Sequence, residues 1–113
     1  MATQTALETI QLFWTTQNDR DYTRLVELFS DDAVLEDPFY GRFEGKAAIA
    51  GFMAKMNEEM GKQAIHFSVV EIAGGSDTAW AQWIAHTPQG DRQGCGLYRV
   101  KHGKLTYYRD YMM

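Results

Sequence analysis

Two aspartates stand at positions where a carboxylate could move a proton. Asp37 ends a predicted strand directly before Pro38, among the apolar residues Leu35, Phe39 and Phe43. Such neighbours partly desolvate a carboxylate, which raises its pKa and makes it a better base. An alternative is that Asp37 caps the turn that begins at Pro38, because Asp-Pro pairs commonly open turns. The sequence leaves both roles open.

Asp110 is the second candidate and lies in the last predicted strand. Side chains alternate between the two faces of a strand, so Asp110 shares a face with Tyr108 and Met112, while Arg109 points the other way. On this face Asp110 could act as an acid or a base. The alternative is a salt bridge with a nearby arginine such as Arg99.

His66 and His86 are candidates because histidine titrates near neutral pH. Each lies in a predicted strand, and His86 shares a strand face with Trp80 and Gln82. The alternative is a structural histidine in the core or at its rim. Two histidines and two aspartates on separate strands lack the local spacing of a metal-binding motif. We therefore predict neither a metal nor another cofactor.

The elements that must position these residues begin with helices. Thr5 and Glu8 have the capping-box spacing, and apolar residues follow at helical intervals. Asp21 can cap a second helix, whose buried stripe is predicted to extend to Phe29. The sequence therefore predicts two helices at the start of the chain.

Strands dominate the rest of the chain. A short strand at 33–37 precedes a third helix over 46–60, which Gly61 is predicted to end in a left-handed conformation. Further strands are predicted at 65–73, 78–87, 94–101 and 105–112. Short turns between successive strands indicate an antiparallel meander. The order predicts an α+β domain with its helices on one face of the sheet.

Length and composition limit the classes of protein to which the chain can belong. The 113 residues suit one domain, 1–113, and 45% are apolar, so a core can form without disulfides. The net charge is −4 and basic residues do not cluster, which argues against nucleic acid and anionic membranes as partners. Cys95 is the single cysteine, and no segment has the length of a membrane span. We predict a cytoplasmic protein.

Four segments resemble a known superfamily. Residues 28–38, LFSDDAVLEDP, are similar to a helix-to-strand junction of steroid Δ-isomerases and SnoaL-like polyketide cyclases, and 45–49, GKAAI, to the start of their third helix. Residues 103–105, GKL, and 108–111, YRDY, are similar to the last strand of SnoaL-like and limonene-epoxide-hydrolase-like members. The chain thus resembles the nuclear transport factor 2-like superfamily. This implies a cone-shaped, strongly curved, mainly antiparallel sheet with three N-terminal helices enclosing a cavity, a cystatin-like α+β roll.

The resemblance also implies roles for single residues. Asp37 matches the proton-shuttling base of ketosteroid isomerase, and Asp110 matches an acid or base of cyclases and epoxide hydrolases. Phe13 and Gly96 stand where the isomerase has its two oxyanion donors. Losing one such donor costs roughly 100-fold in rate, so we predict that the chain is not a functional steroid Δ-isomerase.

The resemblance and the strand patterns also predict which residues line the cavity and which partners the chain binds. The residues predicted to line the cavity and bind a ligand are Phe13, Trp14, Tyr40, Phe52, Met56, Trp80, Gln82, Tyr98, Tyr108 and Met112. Aromatic and methionine side chains suit a small apolar molecule. Trp83 and Leu97 are predicted on the outer face of the sheet, where a second copy would cover them in a homodimer.

Two main functions fit these features. One is a cofactor-free acid–base enzyme, of isomerase, cyclase or hydrolase type, on an apolar carbonyl or polyketide-like compound. The other is a non-catalytic binding protein for a small hydrophobic ligand. A lyase similar to scytalone dehydratase is a further alternative, because His66 lies in a similar strand, although Thr15 replaces an aspartate of that family. The last alternative is a dimerisation module whose cavity is filled by side chains.

Overall fold

The computed structural model describes residues 5–112, which form three helices and six strands. The helices are α1 (Ala6–Asn18), α2 (Tyr22–Glu27) and α3 (Lys46–Lys62). The strands are β1 (Phe29–Asp37), β2 (Gly41–Glu44), β3 (His66–Gly74), β4 (Thr78–Thr87), β5 (Gly90–Lys101) and β6 (Lys104–Met112). Expectations that concern residues 1–4 and 113 lie outside the described residues.

The strands form one sheet in the order β2-β1-β6-β5-β4-β3. Strands β3 to β6 are joined by short turns and pair antiparallel in succession, which is the predicted meander. Strand β1 pairs antiparallel with β2 and parallel with β6. The predicted α+β class with a mainly antiparallel sheet is confirmed.

The predicted helix starts are present. The Thr5 hydroxyl accepts from the Glu8 backbone N–H at 3.2 Å, and the Glu8 carboxylate accepts from the Thr5 N–H at 3.0 Å. The Asp21 carboxylate accepts from the Arg24 N–H at 3.3 Å and caps α2. These bonds satisfy backbone donors that have no partner within the helix.

Two local predictions are wrong, and one strand was not predicted. Helix α2 ends at Glu27, and Phe29 is instead the first residue of β1, because it pairs with the start of β6. Strand β2 was not predicted. Gly61 lies inside α3, and Ala64 takes the left-handed conformation with φ of 54°. A Cβ atom at Gly61 would stand 2.9 Å from the end of the flexible Arg20 side chain.

The core lies between the helices and the inner face of the sheet. Its fully buried side chains include Ile10, Phe13, Phe29, Leu35, Ile49, Tyr98 and Leu105. Strand β4 turns Ala79, Ala81, Trp83 and Ala85 inward. Small residues at three of these positions allow α1 to pack close to the sheet. Within residues 5–112, no helix combines the length and apolar content that a membrane crossing requires.

Candidate functional site

A pocket of about 490 Å³ opens between the inner face of the sheet and helices α1 and α3. Seven residues predicted to bind a ligand line it, namely Phe13, Trp14, Tyr40, Phe52, Met56, Tyr108 and Met112. Phe52 stacks on Phe43 with ring centroids 4.5 Å apart and also contacts Tyr40. Aromatic and methionine residues thus make up half of the residues in the wall.

Asp37 and Asp110 both line this pocket. In the parallel register of β1 and β6, Leu35 lies beside Tyr108 and Glu36 beside Arg109. Each of these strands has an aspartate as its next residue, so Asp37 and Asp110 follow the last observed pair on strands about 4.8 Å apart. The topology therefore brings together two carboxylates that are 73 positions apart in the chain.

Asp110 is held by two side-chain donors. The Trp83 indole Nε1–H donates to its Oδ1 at 3.3 Å, and the Tyr108 hydroxyl donates to its Oδ2 at 3.0 Å. Burial raises the pKa of Asp110 to about 7, although these two hydrogen bonds act to lower it. The negative charge of Asp37 raises the pKa further. Asp110 can therefore carry a proton near neutral pH.

Asp37 is oriented by the turn that follows β1. Its Oδ1 accepts from the backbone N–H groups of Phe39 and Tyr40, at 2.8 Å and 3.0 Å. The turn-capping interpretation of Asp37 is therefore correct. Asp37 also lines the pocket, so capping and a role at the pocket are compatible.

Two inward-facing glycines of β5 make room for the aromatic residues near Asp110. A Cβ atom at Gly94 would stand 2.3 Å from the Trp83 ring, and one at Gly96 would stand 2.4 Å from the Tyr98 hydroxyl. That hydroxyl accepts from the Trp14 indole N–H at 3.2 Å, so Tyr98 belongs to the buried support and not to the pocket wall. Glycine in a strand interior commonly marks such a close approach.

The two histidines lie on the outer face of the sheet, outside the pocket. His66 and His86 stack with ring centroids 4.7 Å apart. The two ring nitrogens of His86 lie 2.7 Å from the Ser68 hydroxyl and 3.0 Å from the Asp91 carboxylate. The pocket therefore does not contain these two predicted catalytic residues. Among residues 5–112, no cluster of three or more potential ligands could hold a metal ion.

The predicted faces of β4 are also wrong. Trp80 and Gln82 turn outward, and Trp80 is 56% exposed. Trp83, predicted on the outer face, is buried and lines the pocket. The strand carries a tryptophan on each face, and the packing of α1 against the alanines decides which one is inside. The alternating alanines Ala79, Ala81 and Ala85 were the sequence signal that could have identified the inner face of β4.

The alternative salt bridge between Asp110 and Arg99 is not formed within the described chain. Arg99 lies on the outer face, with its guanidinium 5.9 Å from the centre of the Tyr107 ring. Arg109 also lies outside, 3.9 Å from the Glu36 carboxylate. Among the described residues, no arginine forms a salt bridge with Asp110, which fits its raised pKa.

The sheet, the three helices and the pocket between them define a small α+β domain with the architecture of a cystatin-like fold. A family model described as the SnoaL-like domain matches residues 10–108. The chain belongs to the SnoaL-like domain family, and the predicted resemblance is confirmed. Among the curated proteins compared with the chain, none matches.

Solved structures support the same fold. A candidate ketosteroid isomerase from Kribbella flavida DSM 17836 is 18% identical, with a TM-score of 0.82, over 98% of this chain and 81% of that one. A candidate polyketide cyclase from Sinorhizobium meliloti is also 18% identical, with a TM-score of 0.78, over 91% and 93%. A protein with a cystatin-like fold from Methylobium petroleophilum PM1 is 15% identical, with a TM-score of 0.79, over 99% and 79%. At these identities the likeness concerns the fold alone.

Proposed function

We propose that this SnoaL-like chain is a cofactor-free acid–base enzyme that moves a proton on an apolar carbonyl compound. The observation that carries the proposal is the pair of carboxylates, Asp37 and Asp110, on neighbouring strands of one apolar pocket. Perturbed ionisable groups in an apolar pocket are typical of active sites. The two relatives described as a candidate isomerase and a candidate cyclase are consistent with chemistry of this kind.

The surroundings of the two carboxylates suggest different roles. Burial favours the protonated form of Asp110, so Asp110 is the acid. Asp37 is the base and takes a proton from the carbon next to the substrate carbonyl. The electron pair of that C–H bond moves onto the carbonyl oxygen, where the proton of Asp110 stabilises the enolate by a hydrogen bond. Asp37 then returns the proton to the same carbon or to a conjugated one.

Hydrogen exchange tests the proposal. The probe is 2-tetralone, an apolar bicyclic ketone, dissolved in heavy water with the protein, and the loss of its C1 protons is followed by NMR. We expect exchange about 100-fold or more faster than with an equal concentration of Asp37→Asn, because a positioned base contributes about that much or more. Equal exchange with the two proteins would contradict the proposal.

A binding protein without turnover is the second candidate. The Trp83 indole N–H and the Tyr108 hydroxyl already donate to Asp110, so neither is free for a substrate oxyanion. In the exchange experiment, this alternative predicts that 2-tetralone shifts the protein signals of the pocket while its own C1 protons remain. The lyase alternative loses support because His66 and His86 lie outside the pocket.

Homodimerisation through the outer face is a separate prediction, now centred on Trp80 and Leu97. These two residues are paired across β4 and β5, and Tyr111 on β6 is also exposed. A second copy would remove this apolar surface from water. Light scattering at micromolar concentration should give twice the 12.9 kDa chain mass. The double variant Trp80→Glu, Leu97→Glu should be monomeric, whereas Lys55→Glu on α3 should not. A monomeric wild type would refute the prediction.

A further inference from the structure

Arg92 places a positive charge at the mouth of the apolar pocket, whose other charged residues are acidic. On β5 it lies opposite Ala85, a buried inner-face residue, and two positions before Gly94, so it belongs to the inner face. Its side chain lines the pocket. The other charged residues described there, Asp37, Glu59 and Asp110, are all acidic.

This charge has no partner in the described part of the chain. Across residues 5–112, Arg92 forms no salt bridge with any carboxylate. It does not neutralise Asp110, because that residue is influenced by burial, by Trp83 and Tyr108, and by Asp37. The guanidinium can present a planar fork of donors to an anion beside apolar walls.

The strand geometry fixes the distance between this charge and the carboxylates. Gly96 lies opposite Asp110, and Arg92 stands four residues earlier on the same strand. Four strand residues span about 13 Å. Part of that span is covered by the long arginine side chain, which leaves room for a scaffold of two or three fused rings.

We propose that the ligand of this pocket is an anionic apolar carbonyl compound, with a carboxylate or a similar anionic group at Arg92 and its carbonyl group at Asp110. The proposal rests on the proposed function for the reacting end of the ligand and adds the chemical class of the other end. The anion fixes the direction of entry, since the negative charge of Asp37 repels it from the other end of the pocket.

Two matched fluorescent probes test the role of Arg92. They are 8-anilinonaphthalene-1-sulfonate and N-phenyl-1-naphthylamine, which share the aromatic body and differ by the sulfonate. Arg92→Gln should weaken binding of the sulfonate about 10-fold or more, as expected for a lost charge-assisted hydrogen bond, and change the neutral probe less than twofold. Arg24→Gln is the control, because Arg24 is exposed on α2 and also lacks a salt bridge within residues 5–112.

The indole N–H signal of Trp83 in the NMR spectrum reports whether each probe enters the pocket. The proposal is overturned if Arg92→Gln weakens both probes equally, if it changes neither, or if the probes leave the Trp83 signal unmoved. The experiments distinguish failure of the anionic-ligand proposal from failure of the proposed enzymatic function. Exchange of 2-tetralone without an Arg92 effect refutes only the anionic ligand, and an Arg92 effect without exchange refutes only the enzyme.

Discussion

Asp110→Asn should be more stable than the wild type at pH 8, and this advantage should be lost and then reversed as the pH falls to 4. Folding raises the pKa of Asp110 from 3.8 to about 7, mainly through burial. A shift of that size corresponds to about 4 kcal/mol of stability lost when the carboxyl ionises in the folded chain. The asparagine amide is neutral at every pH and avoids this loss.

The direction of the effect follows from the protons bound by each state. Below pH 3.8 both the folded and the unfolded chain hold the Asp110 proton, so ionisation has no influence. Between that pH and about 7 the folded chain holds a proton that the unfolded chain has lost, and stability therefore falls as the pH rises. Above about pH 7 the loss is complete and stays constant.

Asparagine cannot replace both carboxylate oxygens. Its amide oxygen can accept from the Trp83 indole N–H, but its NH2 group can only donate to the Tyr108 oxygen, so the Tyr108 O–H loses the acceptor that it has in the wild type. An unsatisfied buried donor costs about 1–3 kcal/mol. The net gain at pH 8 is therefore expected to be about 1–3 kcal/mol, with a corresponding deficit below pH 4.

Urea unfolding at fixed protein concentration, repeated from pH 4 to pH 8, measures this difference. Asp31→Asn is the matched control, because Asp31 is an exposed aspartate of the same sheet and its replacement should not reproduce the pH-dependent gain. A stability difference between Asp110→Asn and the wild type that stays constant over this range would show that Asp110 is not desolvated in the folded chain.

Local patterns were sufficient for most elements but not for the orientation of every strand. In β6, alternation correctly places Tyr108 and Asp110 on the inner face. In β4 the same argument fails, since Trp80 and Trp83 are equally apolar and only the packing of α1 selects Trp83 for the inside. Orientation there depends on a tertiary contact that periodicity does not contain.

The candidate site also depends on tertiary contacts that local sequence patterns do not contain. Each aspartate could be singled out from its neighbours in the sequence, but their proximity depends on the parallel pairing of β1 with β6. No local signal predicts this pairing, and only the resemblance to a known superfamily implied a shared cavity. The space made by Gly94 for Trp83 and by Gly96 for Tyr98 is likewise a contact between distant segments. From the sequence alone, Gly96 was notable only because it stands where ketosteroid isomerase has one of its oxyanion donors.

The pH dependence of exchange distinguishes the roles of the two aspartates. If Asp37 is the base and protonated Asp110 the acid, the rate of 2-tetralone exchange should fall as the pH rises through about 7, the pKa of Asp110. Asp37→Asn should lose about 100-fold to 10,000-fold at every pH, because the proton acceptor is gone.

Asp110→Asn should behave differently from Asp37→Asn. The asparagine amide still offers a neutral hydrogen-bond donor to the enolate oxygen, so the loss of rate should be smaller, about 10-fold, and the fall near pH 7 should vanish because the titrating group is absent. Initial rates measured by NMR between pH 5 and pH 9 provide the test, with chemical shifts confirming that each variant is folded. A wild-type rate that rises through pH 7 would reverse the assignment, since the ionised Asp110 would then be the base and Asp37 would take the role of acid.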